Sequence, residues 1–131
     1  MVPVKSFMIP VEKFVTVDRD MDVRKAAEIM RDRNIGSLFV TRGSEIVGIV
    51  TDRDLVVSVM ARGTDPNQVR AADIMCGNLE TVLDSELIYD AIWHMRKRQI
   101  LRLPVVDTHG GLVGVLTADD VAEFLASEQS E

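Results

Sequence analysis

The 131-residue sequence predicts an α+β fold built from two β-α-β-β-α units packed as a pseudo-two-fold pair. Three observations lead there. A nonapeptide, Val47-Gly48-Ile49-Val50-Thr51-Asp52-Arg53-Asp54-Leu55, returns as Val113-Gly114-Val115-Leu116-Thr117-Ala118-Asp119-Asp120-Val121. The echo extends upstream: Thr16-Val17 matches Thr81-Val82, and the helix-like set Val23, Ala26, Ala27 and Met30 matches Ile88, Ala91, Ile92 and Met95, all 65 residues apart. By Gly48 and Gly114 the interval is 66, and the extra residue belongs in the turn Asp107–Gly111, which is longer than Thr41–Ser44. Self-similarity at such a period marks a duplicated supersecondary unit, and insertions settle in turns without disturbing strand register.

Each element follows from local chemistry. Phe14–Val17 is a short extended stretch, after which Asp20 is placed to cap a helix whose apolar face is Val23, Ala26, Ala27 and Met30. That helix stops near Asn34-Ile35-Gly36, where Asn and Gly accept a left-handed backbone. Ser37–Thr41 and Glu45–Val50 read as a hairpin turning at Gly43, and a second helix starts after Thr51 and runs through Val56, Val57 and Met60 to Gly63. In the second copy Glu80–Leu83 is extended and Ser85 caps a helix to about Arg98. Arg102–Val106 and Leu112–Leu116 then pair around Gly110-Gly111, and a last helix covers Thr117–Ala126. The turn-rich Gly63-Thr64-Asp65-Pro66-Asn67 crosses between copies, giving repeats 7–62 and 73–127 around a linker 63–72.

With 47% hydrophobic residues the chain has material for a core, and halves of roughly 60 residues, marginal alone, are expected to share one. A net charge of −6 argues against a surface that neutralises nucleic-acid phosphates. Cys76 is the only cysteine, so no intrachain disulfide or multi-cysteine zinc site forms, which fits a reducing compartment. Met1–Pro10 lacks a secretory apolar stretch and no later run approaches a membrane span, so a cytoplasmic protein without membrane or nucleic-acid partners is expected.

Gly-h-x-Thr-x-x-Asp (h apolar) closes each copy, Asp73-Ile74-Met75 opens the second, and Leu103-Pro104-Val105-Val106-Asp107 lies in its middle. With Gly48–Leu55 followed by Ala61-Arg62-Gly63-Thr64-Asp65-Pro66, this ensemble resembles the cystathionine β-synthase (CBS) domain pair, or Bateman module, in its stand-alone bacterial and archaeal form. The resemblance covers about residues 7–126. It implies a non-enzymatic regulatory protein that needs no cofactor. The resemblance further implies an adenine nucleotide (AMP, ADP, ATP or a related adenosyl ligand) as regulatory ligand, bound in clefts between the copies. It also implies a homodimer formed through Val23–Arg33 and Ile88–Arg98, and a regulated protein partner. Carried over residue by residue, Asp54 and Asp120 take ribose hydroxyls, Thr51 and Thr117 take phosphate, and Thr16-Val17 and Thr81-Val82 line adenine.

The residue types suit those roles. A carboxylate accepts hydrogen bonds from two ribose hydroxyls, while a hydroxyl and the amides of a helix start donate to phosphate. Gly48 and Gly114 would let a ring lie close to the strand. Thr-x-x-Asp is equally a helix capping box, and one geometry serves both uses, so a ligand-free interaction scaffold is the alternative. Arg53 and Arg102 are the candidate phosphate cations, with Ser37 standing in copy one where Arg102 stands in copy two. Arg96, Lys97 and Arg98 read as a solvated basic helix end that suits the dipole, and Arg102 fits that cluster as well as it fits the phosphate role. Copy one also has Phe39 for Pro104 and Asp52 for Ala118. His94, His109 and Cys76 lack the neighbours a metal or nucleophile site requires, and a partly exposed Trp93 would mark a contact surface.

Overall fold

The computed structural model describes residues 1–129, which divide into two compact units: Phe14–Leu79, and Met1–Lys13 together with the chain from Glu80 onward. In chain order the strands are β1 (Ile9–Pro10), β2 (Thr16–Asp18), β3 (Ser37–Arg42), β4 (Glu45–Thr51), β5 (Val82–Leu83), β6 (Arg102–Val106) and β7 (Leu112–Thr117). The helices are α1 (Val23–Arg33), α2 (Asp52–Leu55), α3 (Ala71–Ile74), α4 (Ile88–Arg98) and α5 (Ala118–Gln129). The mixed α+β architecture and both predicted hairpins are present. The sequence repeat and the compact unit are, however, different divisions of the chain, because residues 7–13 fold with the second copy and 73–79 with the first.

In Phe14–Leu79 the sheet order is β2-β3-β4, with β2 parallel to β3 and β3 antiparallel to β4. The cap of α1 is Asp22, not Asp20: its carboxylate accepts the Lys25 amide at 2.9 Å. Asp20 lies in the preceding turn, where its own amide donates to Asp18 at 2.9 Å. Asp22 stands directly before the first helical residue, the buried Val23. Asn34 closes the helix in the left-handed region at φ 53°. Val23, Ala26 and Met30 are buried but Ala27 is exposed, so the apolar face is narrower than its sequence pattern. The helix expected from Thr51 to Gly63 is one α-turn, α2, followed by a π-helical turn over Val56–Met60 in which the Ala61 amide reaches Val56 O at 2.8 Å. Of its apolar residues Val59 is buried, whereas Val56, Val57 and Met60 are exposed.

The other unit carries the sheet β1-β7-β6-β5. Here β5 runs parallel to β6 while β1 and β6 flank β7 antiparallel. No side chain caps α4, and Leu87 rather than Ser85 holds the cap position. The first helical amide, Ile88 N, donates instead to Val2 O at 2.9 Å, just as Val23 N donates to Val69 O at 2.8 Å in the first unit. Both hairpins shift register at matching places, Val40/Thr41 and Val105/Val106, which confirms the duplication at the level of backbone geometry. The buried residues form two clusters, one per unit, where the sequence suggested a single shared core. One centres on Ile88, Leu103, Val105 and Leu116, the other on Ala26, Leu38, Val40 and Val50. Burying each such Leu or Ile contributes roughly 1.5–3 kcal/mol.

Each sheet is completed by the opening segment of the opposite sequence copy. Ile9 and Pro10 pair with Val115 and Gly114, and Cys76 bridges to Ile49 with backbone bonds of 2.9 and 3.1 Å. A Cβ on Gly48 would stand 2.5 Å from Met75 Sδ, and one on Gly114 would stand 2.6 Å from Met8 Sδ and 2.7 Å from Ile9 O. The glycines therefore make room for a methionine and a neighbouring backbone.

Candidate functional site

Three of the residues singled out in the second copy, Arg102, Thr117 and Asp120, meet at the end of its hairpin. Antiparallel register sets Arg102 of β6 opposite Thr117 of β7, and the chain passes directly from Thr117 into α5. Thr117 Oγ1 donates to Asp120 Oδ2 at 2.6 Å and accepts the Asp120 amide at 3.2 Å, so the cap that starts the helix also fixes the carboxylate. Around these groups opens a cavity of about 420 Å³, lined by Ile9, Leu101, Arg102, Thr117, Ala118, Asp119 and Asp120. That volume lies within the range of small-molecule sites. One lone pair of Asp120 is taken by the threonine, and a carboxylate has about four such positions.

The cavity gathers Arg102, Thr117 and Asp120 but not Thr81, Val82 or Gly114. Val82 is buried and paired with Val105, Thr81 is exposed, and Gly114 lies under Met8. Four lining residues escaped the sequence reading. Asp119 and Ala118 sit inside the motif and Leu101 precedes Arg102, whereas Ile9 lies more than ninety residues away with no local signal.

In the first copy Thr51 and Asp54 form a full capping box: Asp54 N donates to Thr51 Oγ1 at 3.2 Å, and Thr51 N donates to Asp54 Oδ2 at 2.8 Å. Arg53 is exposed, Thr16 is exposed beside buried Val17, and Gly48 lies under Met75. The resolved pKa shifts belong to surface pairs elsewhere. Hydrogen bonding to the Glu128 carboxylate raises the Tyr89 hydroxyl, and the 2.8 Å pair of Arg31 and Asp32 raises the guanidinium and lowers the carboxyl. Among the described residues no group of three or more His, Cys, Asp or Glu side chains is placed to hold a metal, and no helix is long and apolar enough to cross a membrane.

Comparison with known proteins matches residues 4–61 and 71–127 to the CBS domain model. An uncharacterized protein of Methanopyrus kandleri is 39% identical over 95 residues, 72% of this chain and 48% of that protein, so the chain spans about half of that relative. The CBS domain-containing protein YhcV of Bacillus subtilis is 31% identical over 115 residues, covering 88% of this chain and 81% of that one. Among solved structures, CBSX2 in complex with AMP is similar with a TM-score of 0.81 at 26% identity, over 98% of this chain and 99% of that one. CBSX2 from Arabidopsis thaliana gives a TM-score of 0.83 at 25% identity, over 99% and 98% of the two chains.

Proposed function

Since the chain belongs to the CBS domain family, we propose that it is a non-enzymatic regulatory module whose cavity at Arg102, Thr117 and Asp120 takes an adenine nucleotide and whose liganded state is read by a protein partner. The observation that carries this reading is the convergence of a cation, a hydroxyl and a carboxylate on one cavity of nucleotide-compatible volume. The AMP complex of the structurally similar CBSX2 supports the choice of ligand. In this scheme Asp120 accepts from the ribose hydroxyls and Arg102 pairs with phosphate. Thr117 swings its proton from Asp120 to a phosphoryl oxygen. The ligand then acts as a switch only to the extent that it binds one conformation better than another. The module works in the cytoplasm as a homodimer joined through α1 and α4.

A scaffold without a ligand is the second reading, and the complete capping box at Thr51 and Asp54 favours it for the first copy. Isothermal titration with AMP, ATP and S-adenosylmethionine separates the two. Saturable heat with at least one nucleotide is expected, and Asp120→Ala is expected to weaken it by roughly tenfold or more, the loss of one charged hydrogen-bond acceptor. Absence of both heat and thermal shift at millimolar ligand supports the scaffold. Undiminished binding by Asp120→Ala relocates the site.

A further inference from the structure

The two copies differ beside the motif threonine in a way that bears on ligand charge. In the second unit, Ala118 follows Thr117 and its amide donates to Leu101 O at 2.9 Å. In the first, Asp52 follows Thr51 and its amide makes the matching bond to Gly36 O, also at 2.9 Å. Bulk is exchanged across this pair: Leu101 stands opposite alanine, whereas Gly36 stands opposite aspartate. A Cβ on Gly36 would come within 3.1 Å of Asp52 Oδ2, so the glycine is what admits the carboxylate. Asp52 Oδ1 in turn accepts the Arg53 amide at 2.8 Å, a free amide at the helix start. The side chain thus lays a negative charge over the first turn where copy two presents a methyl group to its cavity.

Building on the nucleotide reading above, we propose that Asp52 is a specificity determinant that excludes phosphate from the first copy, so that phosphorylated adenosine binds only at Arg102, Thr117 and Asp120. Formal charge alone does not separate the sites. The first copy sets Asp52, Arg53 and Asp54 against Ser37, and the second sets Ala118, Asp119 and Asp120 against Arg102. Position separates them. The acid of copy one stands on the residue next to the phosphate-binding threonine and takes the adjoining amide, while the cation of copy two comes from the facing strand. A phosphate entering copy one would meet a fixed carboxylate and lose an amide donor, both unfavourable.

The test is AMP stoichiometry by isothermal titration on the full chain, with folding checked by circular dichroism. The parent is expected to bind one AMP per chain, lost in Asp120→Ala. Asp52→Ala, which copies Ala118, is expected to gain a second AMP that Asp54→Ala then removes. The reverse exchange, Leu101→Gly with Ala118→Asp, is expected to weaken the original site roughly tenfold or more, which keeps the idea testable should Asp52→Ala not fold. Two equal sites in the parent, or one site that Asp52→Ala leaves at one, overturns the exclusion while sparing the nucleotide reading. No AMP binding by any form overturns both.

Discussion

A fragment spanning Phe14–Leu79 is expected to unfold in a cooperative thermal transition, whereas a fragment cut at the sequence repeat, residues 7–62, is expected to show none. The shorter piece loses six long-range backbone hydrogen bonds: Val23 N to Val69 O, Arg24 N to Pro66 O, Ala71 N to Met21 O, Ala72 N to Arg19 O, and the reciprocal pair between Ile49 and Cys76. At about 1 kcal/mol each these sum to roughly 6 kcal/mol, comparable with the whole stability of a small domain. It also loses fully buried Ala71 and the packing of Ile74 and Met75 on the core. At the same time it keeps Phe7, Met8 and Ile9, whose partners belong to the other unit. Circular dichroism melts of the two fragments decide the matter, and a transition in 7–62 as sharp as that in 14–79 would refute it.

Gly114→Ala is expected to destabilise the protein by about 2–3 kcal/mol, near the top of the range for overpacking, and Gly48→Ala by less. The added methyl at Gly114 meets a main-chain oxygen, Ile9 O, at 2.7 Å as well as Met8 Sδ at 2.6 Å, so β1 must leave β7. At Gly48 the close atoms at 2.5 and 2.8 Å belong to the Met75 side chain, and the nearest backbone atom, Cys76 O, is 3.0 Å away. A methionine yields more cheaply than a strand. The gain from a less flexible unfolded chain, about 0.4–1 kcal/mol, offsets part of both losses and does not reverse the order. Thermal melts read the difference at roughly 4 °C per kcal/mol, and a Gly48→Ala protein less stable than Gly114→Ala would contradict the geometry.

How far the sequence could be read depends on how local each cause is. The hairpins and the left-handed stop at Asn34 were visible because their causes lie within a few residues: alternating apolar side chains, Gly43, and an Asn after the last buried turn. The starts of α1 and α4 were misplaced by two residues for opposite reasons. Asp20 lost to Asp22 among equivalent acids, whereas Ser85 lost to a main-chain carbonyl, Val2 O, that no local pattern reveals. The short helix α3 and strand β1 were missed because each exists by docking on a distant strand. The candidate site divided along the same line. Thr117 and Asp120 were legible from the duplicated motif and Arg102 from its place before Leu103-Pro104 in the family resemblance, but Ile9 on the cavity wall was not, and the occupation of the glycine hollows by Met8 and Met75 arises from that same remote docking.

The crossed strand arrangement also dictates the order in which the protein can mature on the ribosome. Residues 14–79 are contiguous and contain the whole β2-β3-β4 sheet, so that unit can close as soon as they have emerged. Residues 1–13 have no sheet to join until β7 ends at residue 117. At about 5–20 residues per second this leaves the apolar Phe7-Met8-Ile9 waiting for several seconds in solvent. This stretch is thus made before residues 14–79 but finds its place after them.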